Sequence, residues 1–333
     1  MSDHPTYNLT HAIRTDVGRV RTNNEDSYGS AWMKDGSLFV VVADGMGGHE
    51  AGEVASALAV RVLEEHICET PSQDPRQRLY SGLLEANDAI LEEAKTTEMR
   101  GMGTTAIVTV VQDGLVHVGQ VGDSRLYHIR KGQLIWRTRD HTRVQMLLEQ
   151  GDISEDAARQ HPEAGMLTRA LGHARMADGR PLVPDVLEEP FTIEAEDTIV
   201  LSSDGLHDLV DDWEIGQLVA DTTAKEAAEK LVELACERGG HDNVTVAVLV
   251  AGERSAAFDP DFLPDWVDAD HVATEPIENI EATYDDLPRF AETPVENDAE
   301  ESSSNNVVLY VAVAVFVMLV LCCGVAVGVW QML

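Results

Sequence analysis

Residues 104–137 read TTAIVTVVQDGLVHVGQVGDSRLYHIRKGQLIWR. Thr104 to Val111, Leu115 to Gly122, Ser124 to Arg130 and Gln133 to Arg137 are apolar, β-branched runs of strand length. Asp113-Gly114 and Lys131-Gly132 lie between runs, where tight hairpin turns need residues that tolerate positive φ. Adjacent hairpins, rather than a regular alternation of strand and helix, predict an α+β fold of antiparallel sheets flanked by helices, not a doubly wound parallel sheet.

Outward from that stretch, Ser37 to Ala43 is another apolar run and closes on Asp44-Gly45. Glu50 to Ile67, Gln77 to Lys95 and Thr223 to Glu237 carry apolar residues at helical spacing and should pack on sheet faces. Four aspartates, Asp44, Asp123, Asp204 and Asp242, flank strand-like runs and sit beside Gly, Ser or Asn. Ladder hydrogen bonds give out at strand ends, so carboxylates from distant segments can meet there on a hard cation. Each Asp alone is most often a turn former or a cap. Several such segments in one domain are harder to dismiss, because buried carboxylates gathered without cations are costly.

The 333-residue chain is 44% hydrophobic, enough for a substantial core. Lys and Arg number 24 against 59 Asp and Glu, a formal charge of −35 that opposes unaided binding to nucleic acid or an anionic bilayer. Cys68, Cys236, Cys322 and Cys323 form no CxxC pair and no disulfide-like framework, which suits a reducing compartment and offers no zinc site. Residues 1–250 are expected to form the folded domain. Residues 251–306 turn to Asp, Glu, Pro, Thr, Ser and Asn, an acidic, self-repelling linker expected to serve as a spacer, with a short docking motif for a partner at Phe258, Phe262, Leu263 and Trp266 as the lesser alternative. Residues 307–330 form an uncharged run rich in Val, Leu and Ala, long enough to cross a bilayer core of roughly 30 Å. With no signal peptide at the amino end, this run reads as a single-pass tail anchor in the inner (cytoplasmic) membrane, with the domain in the cytoplasm.

Arg21-Thr-Asn-Asn24-Glu25-Asp26 combines a guanidinium, suited to phosphate, with carboxylates suited to metal-bound water, though alone it also reads as a surface ion-pair segment. Asp44-Gly45-Met46-Gly47-Gly48-His49 places a glycine-rich turn after a strand, where backbone can approach a ligand closely. Together with Gly103-Thr104-Thr105, Gly122-Asp123-Ser124-Arg125, Ser203-Asp204-Gly205 and His241-Asp242-Asn243, in that order, these segments resemble the type 2C metal-dependent protein serine/threonine phosphatases (the PPM family), bacterial branch. The match spans roughly residues 8 to 250.

The resemblance implies an α-β-β-α sandwich with a two-metal centre at one end. Asp44 would bridge two Mn²⁺ or Mg²⁺ ions, the Gly45 carbonyl would bind one, and Asp204 and Asp242 the other. Glu25 and Asp26 would support the site through water, and Asp123 resembles the acid used for a third, weaker ion. A metal-bridging hydroxide would attack phosphoserine or phosphothreonine on proteins in line, while Arg21 clamps the phosphate. Where eukaryotic members carry a His after the Asp-Gly pair, this chain has Met46. The leaving-group proton then falls to His49, which equally reads as a helix-opening residue, or to a metal-bound water. Asp140 to Met166 occupies the position of a flap over the cleft, and Met102, Met146 and Met166 are expected to fill packing gaps. The expected partners are phosphoproteins and an opposing serine/threonine kinase. Two other readings stand beside this one: a catalytically silent scaffold that binds phosphoproteins at the membrane, and a phosphatase dedicated to one regulatory protein.

Overall fold

The computed structural model describes residues 7–47, 51–70, 74–97, 99–158 and 161–252, apart from the side chains of 155 and 156. The expected membrane span, His49 and the expected linker beyond Gly252 lie outside these residues; Ala251, expected to open the linker, instead ends the last strand, paired with Leu9. The strands are β1 (Leu9–Asp16), β2 (Asp26–Trp32), β3 (Leu38–Met46), β4 (Gly103–Thr104), β5 (Ala106–Gln112), β6 (Leu115–Val121), β7 (Arg125–Arg130), β8 (Gln133–Arg137), β9 (Asp185–Val186), β10 (Phe191–Thr192), β11 (Thr198–Ser202) and β12 (Val244–Ala251). The helices are α1 (Ala51–Glu69), α2 (Pro75–Thr96), α3 (Arg143–Glu149), α4 (Glu155–Ala158), α5 (Asp204–His207), α6 (Asp212–Val219) and α7 (Ala224–Glu237). All belong to the unit Met1–Ile277.

One sheet runs β1-β12-β11-β7-β8 and the other β10-β6-β5-β3-β2, with β4 paired to β3 and β9 to β6. Every strand pairing is antiparallel. Strand side chains alternate in direction, and here the two sets go to different cores. Leu38, Val40 and Val42 of β3 meet Ala247, Leu249 and Ala251 of β12 between the sheets. Phe39, Val41 and Ala43 instead pack with α1 and α2. Val244, Val246, Val248 and Val250 pack under α6 and α7. Two sheets with helices on their outer faces follow directly from strands that are apolar on both sides.

The hairpin turns behave as the sequence predicts: Asp113 and Gly114 have φ of 52° and 79°, Lys131 and Gly132 of 49° and 76°. Two expectations are corrected. The run from Thr104 to Val111 is not one strand, because Thr105 turns its backbone N–H and its hydroxyl to the backbone of Asp44. Of the three methionines expected to fill packing gaps, Met102 is buried, whereas Met146 and Met166 are exposed; α3, which carries Met146, buries only Val144 among its residues. Among the described residues no helix is long and apolar enough to cross a membrane.

Candidate active site

Asp26 and Asp44 are direct cross-strand partners at one end of the β2–β3 pair, so their side chains share a face. The backbone of Asp44 is clamped: its N–H donates to Thr105 Oγ1 at 2.9 Å, and its carbonyl accepts from the Thr105 N–H at 2.9 Å and from Thr104 Oγ1 at 2.8 Å. Gly45 has no room for a side chain, since a Cβ there would lie 2.1 Å from the Gly52 carbonyl oxygen and 2.5 Å from that of Glu25. Gly52, in the first turn of α1, is equally confined, and its Cβ would meet the Glu25 carboxylate at 2.8 Å.

From the other sheet, β11 ends at Ser202 and α5 opens on Asp204. Ser203 Oγ donates to Asp26 Oδ2 at 2.8 Å and accepts from the Thr245 N–H at 2.9 Å, joining the two sheets at the site. Asp242 precedes β12 and accepts from Arg21 Nη2 at 2.7 Å. Asn243, which the sequence motif includes without a role, holds the Arg21 loop. It accepts from the Glu25 N–H at 2.8 Å, and its Nδ2 donates to the carbonyls of Val17 and Asn23, each at 2.9 Å. Asp123 sits between β6 and β7 behind Gly122, whose φ of 103° and contact with Thr105 admit only glycine.

The carboxylates converge electrostatically. Burial, then the charges of Asp204, Asp26 and Asp123, push Asp44 well above the ordinary carboxylate range. Burial, then Asp123, Asp208 and Asp242, does the same to Asp204, which also shares a hydrogen bond with Asp44. Asp26 is raised to about 6, chiefly by burial, against hydrogen bonds from Thr245 and Ser203. Asp123 is raised to about 7 by burial and by Asp140. Burial also raises Glu25.

Asp26 Oδ1 and Asp204 Oδ1 are buried with no hydrogen-bond partner. Among the described residues no three His, Cys, Asp or Glu side chains form a ready-made metal cage, so the fit rests on charge and convergence. Mutually repelling, all-oxygen donors with unsatisfied buried atoms match a hard divalent cation, which takes the place of the protons those carboxyls otherwise retain. The structure thus brings Asp26, Asp44, Asp123, Asp204 and Asp242 together, with Glu25, Gly45 and Arg21 at the margin. Asp208 was not foreseen; its position four residues after Asp204, on the same face of a helical turn, is the signal that could have found it.

The start of the segment expected to form a flap, Asp140 to Thr142, is tied to this centre. Thr142 bridges Leu167, the His141 N–H donates to the Gly122 carbonyl at 3.0 Å, and His141 Nδ1 accepts from the Gly122 N–H at 3.1 Å. Arg125 grips Asp140 through two hydrogen bonds, of 2.8 and 2.6 Å.

A family model described as Protein phosphatase 2C matches residues 16–244. The chain belongs to the protein phosphatase 2C family. It is 37% identical over 243 residues to the serine/threonine phosphatase stp of Listeria monocytogenes serotype 4b, covering 71% of this chain and 94% of that one. It is 35% identical over 277 residues to the serine/threonine protein phosphatase PstP of Mycobacterium tuberculosis, covering 82% and 48%. Among solved structures, the S. agalactiae serine/threonine phosphatase superposes with a TM-score of 0.67 at 31% identity, covering 73% of this chain and 100% of that one. The PstP catalytic domain, in a complex with two manganese ions, superposes with a TM-score of 0.63 at 34% identity, covering 74% and 99%. Membership in the 2C family makes this chain a metal-dependent protein serine/threonine phosphatase.

Proposed function

We propose that the chain hydrolyses phosphoserine and phosphothreonine on proteins at the carboxylate cluster, with Mn²⁺ or Mg²⁺. The observation that carries this reading is the convergence of Asp44, Asp204, Asp26 and Asp123 at one end of the sandwich. Asp44, the Gly45 carbonyl, Asp204 and Asp242 would hold two cations; Glu25 and Asp26 would order their water, and Asp123 would serve a third ion. Bound there, the cations supply Lewis-acid activation of a water nucleophile and offset charge on the phosphoryl group.

The protein's own groups do the rest. Arg21, with its side chain half exposed and one nitrogen already on Asp242, turns its remaining donors to the phosphate oxygens. Asn243 keeps that arginine's loop in place, and the Thr104–Thr105 clamp keeps Asp44 from drifting with β3. His49 would be the chain's own donor of a proton to the leaving oxygen, and bound cations would offer an acidified water as the alternative source. The silent-scaffold reading has no support, since the carboxylates needed for turnover are present and gathered.

Phosphate release from a phosphothreonine peptide by the full chain, with Mn²⁺, Mg²⁺ or EDTA, tests the proposal. Metal-dependent turnover that disappears in Asp44→Asn and Asp242→Asn is expected; turnover insensitive to EDTA would overturn it.

We further propose the division into a catalytic domain at 1–250, an acidic linker at 251–306 and a tail anchor at 307–330, with the domain on the cytoplasmic side, opposing a serine/threonine kinase. The uncharged run of the tail supports anchoring. Recovery of the full chain in the alkaline-washed membrane fraction is expected, and its release by the wash would refute the anchor.

A further inference from the structure

The side of the sandwich bounded by β1 and β2 is open. Each strand ends its sheet, so neither has a strand partner on its outer edge among the described residues. Tyr28 and Trp32 lie opposite Val42 and Leu38, whose side chains are buried between the sheets. Yet Tyr28 and Trp32 are 44% and 53% exposed. His11 of β1 reaches across the mouth, with Nε2 3.1 Å from Ser30 Oγ and its ring centroid 6.1 Å from that of Trp32. Lys34, two residues past Trp32, is exposed in the turn that follows β2. Exposed aromatic rings at the mouth of a core beside an unpaired edge strand suit an extended, aromatic peptide.

The chain itself carries such a peptide. The Gly252 N–H donates to the Asn8 carbonyl at 2.8 Å, and Ala251 faces Leu9. The chain therefore leaves the domain at the end of the seam where His11 meets Trp32. Phe258-Asp-Pro-Asp-Phe-Leu-Pro-Asp-Trp266 follows, within the ~20 Å that six extended residues span. In an extended strand Phe258, Phe262 and Trp266 share one face. Pro260 and Pro264 fall in the same alternate set, so the N–H groups aimed at a neighbouring strand come from 259, 261, 263 and 265, none of them proline.

We propose that residues 258–266 add to the outer edge of β2 as an antiparallel strand, with Phe258, Phe262 and Trp266 covering Tyr28 and Trp32. Amide hydrogen exchange on the full chain in detergent micelles tests this. The expected result is that the triple variant Phe258→Ala, Phe262→Ala, Trp266→Ala, whose changes lie outside the folded domain, exchanges the amides of β2 about tenfold faster while β3 and β12 are unchanged. Trp32→Ala should produce the same loss at β2. Equal β2 exchange in the full chain and the triple variant would overturn the proposal. So would β2 protection that falls on dilution, since a second copy would then be the occupant.

Discussion

The site's geometry depends as much on residues that touch no phosphate as on the carboxylates. Asn243 satisfies one N–H and two carbonyls of the Val17–Glu25 segment, and its truncation leaves them unpaired at a cost of about 1–3 kcal/mol. Asn243→Ala should therefore unfold at lower denaturant and, by loosening Arg21, raise KM for a phosphopeptide more than it lowers kcat. A loss confined to kcat would show that Arg21 does not depend on it. Gly52→Ala sets a methyl 2.8 Å from the Glu25 carboxylate and 2.9 Å from the Gly45 carbonyl carbon. Metal titration by calorimetry should show weaker Mn²⁺ binding in a protein that remains folded. Asp204→Asn should lower kcat/KM by about a hundredfold or more, since it removes a proposed ligand from the charge-stabilising centre; turnover that survives the change would remove Asp204 from the centre.

Among the elements, the start of the segment expected to form a flap depends on Arg125 and Asp140. Burial works against the charge on Asp140, but Arg125, by charge and hydrogen bonding, holds its pKa down at about 2. A depressed carboxylate contributes stability that is present above its unfolded pKa and is lost as pH falls through the folded one. From the usual 3.8 to about 2 the contribution is about 2 kcal/mol. Urea unfolding at neutral pH should find Asp140→Asn less stable than the parent, with the gap narrowing as pH falls from about 4 to about 2; a gap independent of pH would assign the loss to packing instead. The hairpins around these residues were legible because Asp113-Gly114 and Lys131-Gly132 carry their backbone geometry in their residue types. β1 and β2 were not, because edge strands covered on one side mix Thr, His, Arg and Ser with few aliphatics. β9 and β10 are two residues each and owe their existence to β6, a tertiary cause with no local pattern. In the site, the aspartates announced themselves by strand-end position, whereas the clamp of Thr104 and Thr105 on Asp44 depends on contacts 60 and 61 residues apart.

For the whole molecule, the question is what a tail would add to a domain that already holds a complete site. A tether changes neither the carboxylate cluster nor Arg21; it changes how often the cleft meets substrates held on the same surface, by setting an effective concentration. A chain ending at Gly252 retains every described strand and helix and the whole of residues 16–244 that match the family. It should stay soluble and hydrolyse a small phosphopeptide with the kcat/KM of the full chain. On a phosphoprotein anchored in the same vesicle it should fall behind by about a hundredfold, the scale expected when an intramolecular encounter becomes a bimolecular one. Parallel assays of both proteins on both substrates separate the possibilities. Equal loss on peptide and anchored protein would mean that residues beyond Gly252 support the site itself, whereas equal activity on both would remove tethering from the account of the tail.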